Sequence, residues 1–468
     1  MSAAITAVPL KRSACNMLAD VSASSAAMRA NDQSVPARLS KFLPMCKLTV
    51  SRGSAILAQF AAQLVVGTMV GAGGLGVLQL FTSWACIAGE ILGQGLPTRA
   101  MRLVSVAYAE QRGDVIGQLL RDARRKIIRL WLLLALLAAV PLALLLRGEA
   151  PPDWAHYGLL LIGAALVAPF FSLLRLYAES LKATGAALAA VTLESLISPV
   201  ALLLVCGVCW FTGQTVLTIT LLVAFGLSVV VTPLALHAKL RQQLALLPTE
   251  QTLKEEENTL SPTVRGELLS LWGIGVLSIG FLQFPFIVLP IYVDAAQIGV
   301  FAVAHKLINV ITTLLLLLAA VFGPEFARQA ARSDAAGMLG LLRRTQLISI
   351  AVFLPVSLTL IALANPLARL FGEDFGDLQI YLIILTAGQL VNAATGLPGL
   401  MLNMAGAASK ELSTLIVAMI FALGGSMWVG PEFGAIGLAC VFSSSIALKN
   451  IVSYALARHH LHTTRIST

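Results

Sequence analysis

Runs of about twenty apolar residues recur between residues 53 and 457, each bounded by a cluster of polar residues. A helix of that length rises roughly 30 Å, which matches the hydrocarbon core of a bilayer. In lipid every backbone N–H and C=O must be satisfied internally, and a helix does this within one segment. Twelve spans follow, near 53–71, 74–97, 127–146, 156–177, 184–211, 214–237, 269–292, 297–322, 346–365, 379–402, 411–430 and 434–457. Pro141, Pro169, Pro199, Pro285, Pro290 and Pro398 fall inside them, where neighbouring helices and water satisfy the freed backbone groups. Composition agrees, since 58% of the 468 residues are hydrophobic and 12% are charged, half the share of about 25% in soluble domains. The chain reads as an all-α integral membrane protein. A soluble enzyme, a fibrous protein and a disordered chain are excluded.

Lysine and arginine set the orientation, because cytoplasmic loops carry the excess of both. With both termini cytoplasmic, 28 of the 32 lie in inner segments, and only Arg147 and Arg369 lie in outer loops. Lys306 and Lys449 fall within spans. The net charge of +9 is thus a topology signal, and nucleic-acid binding is not expected. Residues 1–50 carry charges throughout and show no apolar core of signal-peptide type.

Residues 1–40, rich in Ala and Ser, read as a disordered cytoplasmic tail, and 458–468 as a second cytoplasmic tail. The longest polar stretch, 238–268, holds Glu255-Glu256-Glu257 and reads as a cytoplasmic linker between two lobes, 41–237 and 269–457. The halves echo each other. Arg112-Gly113-Asp114, with Gly117, follows the second span, and Arg332-Ser333-Asp334, with Gly337, follows the eighth. Leu75-Gly76-Val77 and Ile298-Gly299-Val300 open the same two spans. Equivalent positions with the same in/out sense mark a parallel repeat of six spans, and two related lobes with a site between them is a transporter pattern.

Several motifs carry little. Gly71-Ala-Gly73-Gly74-Leu-Gly76 matches a dinucleotide pattern but follows a membrane span rather than a strand, so a tight helix–helix turn explains it better. No phosphate-binding G-x-x-x-x-G-K-[ST] loop occurs. Cys206 and Cys209 lie in an apolar helix without a second ligand pair and read as small packing residues. His459, His460 and His462 read as part of a solvated basic tail. No metal or cofactor is expected.

Charges inside spans say more, since each costs about 2.5–3.5 kcal/mol at a helix centre on insertion scales. Glu194 is placed near mid-depth of the fifth span, Lys306 beside His305 in the eighth, and Glu90 nearer the inner face of the second. Glu194 and Lys306 are expected to line a wet central cavity and to pair with each other in the empty carrier. For Arg52 and Arg175, near inner span ends, snorkelling and function are equally open, whereas Lys449 is expected to snorkel. Cations in a low-dielectric cavity favour an anionic substrate, with phosphate oxygens as partners. No outer loop exceeds roughly a dozen residues, too few for a polysaccharide polymerase or a membrane-embedded glycosyltransferase with an outer catalytic domain.

The chain resembles the polysaccharide (O-antigen-type, Wzx-like) flippases of the MOP exporter superfamily, which includes the MATE drug exporters. The resemblance covers most of residues 45–460. Its motifs are the Gly76-Val77 and Gly299-Val300 openings, Gly95-Leu-Pro97 and Gly323-Pro324-Glu325 at span ends, and Leu370-Phe371-Gly372-Glu-Asp374-Phe375. Gly388-Gln389, Asn392, Gly396-Leu-Pro398, Leu402-Asn-Met-Ala-Gly406 and Gly434-Ala-Ile-Gly437 complete them. They are diffuse and mark the superfamily better than any substrate. The resemblance implies twelve transmembrane helices in two six-helix lobes related by a pseudo-two-fold, in a MATE-like V shape, working by alternating access.

The implied cargo is an undecaprenyl-pyrophosphate-linked oligosaccharide, moved across the bacterial inner membrane for surface polysaccharide synthesis. The cargo would bind a cationic cavity for which Arg52, Arg99, Arg175, His305 and Lys306 are candidates. Glu194 and Glu90 are the candidates for coupling to a proton or sodium ion. A monomer beside polysaccharide polymerase and chain-length proteins is implied, a carrier rather than an enzyme. The chief rival is a MATE-type organic-cation antiporter. That family commonly places a carboxylate in the first or seventh span, and this sequence has none in either. Lipid II flippases are closer in chemistry but usually have more spans.

Overall fold

The computed structural model describes residues 35–146, 152–247, 262–332 and 334–466. The chain divides into two compact units, residues 1–53 and 54–468. The expected tail lies outside the described residues up to position 34, and helix begins at Val35. Of the expected linker, positions 248–261 lie outside the described residues.

Thirteen α-helices and one short 3-10 turn, with no strand, make up the regular structure of the described residues. The first half holds α1 (Val35–Gly93), α2 (Leu96–Ala109), α3 (Gly113–Leu146), α4 (Pro152–Ala183), α5 (Ala187–Thr212) and α6 (Thr218–Leu244). The second holds α7 (Pro262–Tyr292), α8 (Ala295–Ala331), α9 (Ala335–Ala362), α10 (Ala364–Phe371), α11 (Leu378–Thr395), α12 (Pro398–Met404) and α13 (Ala408–Ile466). Eight helices of the described residues are long and apolar enough to cross a bilayer. Two of these stretches, of 44 and 54 residues, are about twice what one crossing needs. Both are broken, α1 at Gly71 (φ 70°, ψ −177°) and α13 at Gly434 (φ 53°, ψ −136°). Backbone of that kind is nearly closed to residues with a Cβ, so glycine decides where each break falls.

Local chemistry sets the other ends. Asp294 caps α8 by accepting from the Gln297 amide at 2.9 Å, and Asp334 caps α9 by accepting from Gly337 at 2.8 Å. The repeated Arg112-Gly-Asp and Arg332-Ser-Asp segments therefore both open a helix, α3 and α9. Pro169, Pro199, Pro285 and Pro290 sit within continuous helices. Several expected spans differ from the observed helices, and three show why. The span 74–97 stops at Gly93, because Gln94 and Gly95 both take positive φ. The span 379–402 becomes α11 and α12, because Gly396 has φ 77° and Pro398 restarts the helix at its first turn. The eighth span was expected to end at Gly323-Pro324-Glu325, but α8 runs on to Ala331.

The interior of residues 54–468 holds one large cluster and two smaller ones. The large cluster draws on both halves, from Val66 and Phe81 to Phe301, Phe371 and Phe442. The two smaller clusters share no member, one running from Leu96 to Leu240 and the other from Phe326 to Leu461. Where the halves join, Gly76 and Gly299 approach reciprocally. A Cβ on Gly76 would stand 1.9 Å from the Ala295 carbonyl oxygen, and one on Gly299 the same distance from that of Ala72. No side chain fits either place.

Candidate functional site

Two cavities open inside the helical body. The first, of about 360 Å³, lies mostly among helices of the first half, α1, α4, α5 and α6, and receives Lys306 from α8. Arg175, Glu194 and Lys306 line it, together with Gln59, Gln63, Gln79 and Thr82. The structure thus brings three of the sequence candidates to one void.

Their pairing differs from expectation. Glu194 Oε2 lies 3.1 Å from Lys182 Nζ, and Lys182 is also 3.0 Å from Glu179. The cause is the hairpin at Gly185 (φ 85°), which folds the start of α5 back on the end of α4. Because α5 begins at Ala187, Glu194 lies only about two turns in, short of mid-span and within reach of a lysine at the helix end. The expected Glu194–Lys306 pair is not formed, and no ion pair or side-chain hydrogen bond engages Lys306 among the described residues.

Arg175 Nη1 lies 3.1 Å from Glu90 Oε2. The carboxylate is the more buried partner, at 10% exposure against 35% for the arginine side chain. Gly275 of α7 packs so closely that a Cβ there would meet Glu90 Oε1 at 2.3 Å. Nearby, the indole N–H of Trp272 donates to the Ile91 carbonyl at 3.0 Å. Glu90 is therefore clamped between Arg175 and a helix of the other half.

The second cavity, of about 540 Å³, lies among α7, α8, α11 and α13. It takes His305, the neighbour of Lys306, since successive residues on a helix point about 100° apart. His305 therefore faces a different void from the cationic one expected for it. This cavity also takes Lys449, near the end of the last expected span. Its Nζ lies 2.6 Å from Glu411 Oε1, and Ser453 donates to the other carboxylate oxygen at 2.7 Å. Glu411 and the carboxamides around it were not legible as a site, because the sequence places them on four separate helices.

The remaining candidates lie elsewhere. Arg99 is on α2 and lines neither cavity. Arg52 belongs to the 1–53 unit and lies on α1. Cys206 and Cys209 are free thiols on α5. No group of His, Cys, Asp and Glu suited to a metal occurs among the described residues.

No family model matches the sequence, and no curated protein does. Solved structures do. The chain is similar to an inward-facing multidrug resistance MATE family transporter of the MOP superfamily, at 15% identity and a TM-score of 0.70, covering 88% of this chain and 96% of that one. It is similar to the lipid II flippase MurJ in an inward closed conformation, at 13% identity and a TM-score of 0.65, covering 89% and 90%. An outward-facing MATE transporter aligns at 15% identity with a TM-score of 0.55, covering 90% and 95%. The fold is that of the MOP-superfamily transporters, a multi-pass membrane architecture.

Proposed function

We propose that the protein is a flippase that carries an undecaprenyl-pyrophosphate-linked oligosaccharide across the bacterial inner membrane by ion-coupled alternating access. The observation that carries this is the charge balance of the first cavity. Arg175 is matched by Glu90 and Glu194 by Lys182, which leaves Lys306 as the cation without an acidic partner among the described residues. An unmatched ammonium in a poorly solvated void favours a phosphate and opposes an organic cation. Lys306 and Arg175 are assigned to the pyrophosphate, and Glu194 and Glu90 to the coupling proton or sodium ion.

The twelve spans, the two six-helix lobes and the cytoplasmic termini belong to the same proposal. So does work as a monomer beside polysaccharide polymerase and chain-length proteins. Eight long apolar helices, two of them broken by glycine, and the 28-of-32 basic bias support it.

A clean deletion in the native host tests the function. Lost surface polysaccharide with lipid-linked repeat units accumulating in the inner leaflet is the expected result, with complementation by the wild-type gene and not by Lys306→Gln. A second proposal, export of organic cations, is favoured by Glu194 lining the same void. Intact polymer with heightened sensitivity to cationic drugs would decide for it.

A further inference from the structure

The second cavity has a chemistry unlike the first. Its charges are matched within it, Lys449 by Glu411, so it offers no free ion to a charged ligand. It offers carboxamides in number, with Asn309, Gln389, Asn392, Asn403 and Asn450 all on its wall. Much of their capacity is unspent. Asn392 donates Nδ2 to Gln389 Oε1 at 2.9 Å, and the amide of Asn309 meets His305 Nδ1 at 3.2 Å. The Oδ1 atoms of Asn309 and Asn392 and the Nε2 of Gln389 then have no protein partner among the described residues, and the Asn403 side chain has none at all there. A carboxamide carries two donors and an acceptor oxygen with two lone pairs, so it answers a hydroxyl in either sense. The rings of Phe281 and Phe442 border the same space, 6.0 Å apart at their centroids, and supply apolar faces. At about 540 Å³ the void is within the roughly 300–1,000 Å³ usual for small-molecule sites.

We infer that this cavity is a saccharide subsite, taking the neutral, hydroxyl-rich part of the cargo while Lys306 and Arg175 hold its charged part. Uncharged sugars need hydrogen-bonding groups of both senses beside apolar surface, and this wall supplies both without a net charge. The join between the two subsites is α8 itself, where His305 faces one cavity and the adjacent Lys306 the other. The inference rests on the flippase reading and adds to it where specificity for the sugar lies.

The test uses the full chain in nanodiscs with two probes, undecaprenyl pyrophosphate and the same lipid bearing the host's oligosaccharide repeat. The wild type is expected to bind the glycosylated probe more tightly. Asn309→Leu with Asn392→Leu should weaken that probe about tenfold, as the loss of about two hydrogen bonds implies, and leave the bare lipid unchanged. Unchanged bare-lipid binding reports an intact fold, and exposed Asn403→Ala gives a milder variant of the same sign. Equal wild-type affinity for both probes would overturn the saccharide subsite while leaving the flippase intact. So would variants that keep full preference for the glycosylated lipid. Failure of the wild type to bind either probe would instead remove the flippase reading.

Discussion

Lys306 is the residue on which the proposed function turns, because an ammonium inside the membrane without an acidic partner among the described residues is costly to keep. In the proposed function an anionic ligand completes it. Lys306→Gln should therefore cut polymer export at least about tenfold with normal protein levels, whereas Lys306→Arg keeps part of it. Surface polysaccharide measured in the complemented deletion strain checks this, and export at wild-type level by the glutamine variant would sink it. The Glu90–Arg175 pair makes a different prediction, about stability. Removing Arg175 strands a carboxylate at 10% exposure, whereas removing Glu90 strands a guanidinium at 35% that also faces the cavity. Arg175→Met should then destabilise by about 3–5 kcal/mol, and Glu90→Gln by distinctly less. Thermal unfolding followed by tryptophan fluorescence reads the difference, and equal losses would refute it. At this scale the sequence showed which charges fall in apolar runs but not which were partners. Glu194 and Lys306 stood out in apolar runs, yet Lys182 takes Glu194 because a hairpin at Gly185 brings them together. Glu411 and Lys449 escaped for the same reason, being 38 residues apart on one broken helix.

At the scale of the element, hydropathy finds helices and glycine finds their breaks. The spans were legible because lipid allows one backbone solution, but their ends depended on φ values that composition does not report. Gly71 and Gly434 break α1 and α13 where two spans were drawn, and Gly396 divides what read as a single span. At Gly71 the conformation is one that only glycine holds without strain, and a Cβ would also approach Asp374 Oδ2 to 3.1 Å. Gly71→Ala should cost about 1–3 kcal/mol. The midpoint of thermal unfolding should fall accordingly, while the neighbouring Gly73→Ala, which has open space around it, should leave it unchanged. Equal midpoints for the two variants would mean that the break is not held by Gly71.

At the scale of the whole 54–468 body, the largest buried cluster draws on both halves and each smaller one on a single half. The large cluster ties the halves near Gly76 and Gly299, and the two smaller ones share no residue. With the orientation proposed from the basic loops, Gly76 and Gly299 lie at the outer starts of their spans, and their reciprocal contact is proposed to close that side. The proposed alternating access requires that contact to be broken and remade. A side chain at Gly299 cannot coexist with the Ala72 carbonyl, so Gly299→Leu should favour the state in which this end is open. Gln79, which lines the first cavity, provides the place to see it. In a background without native cysteines, Gln79→Cys should react with a membrane-impermeant maleimide in inside-out vesicles and not in right-side-out ones. Adding Gly299→Leu should give reaction in right-side-out vesicles as well. If the double variant is labelled only from the cytoplasmic side, at the parent's rate, the glycine contact is packing and not a gate.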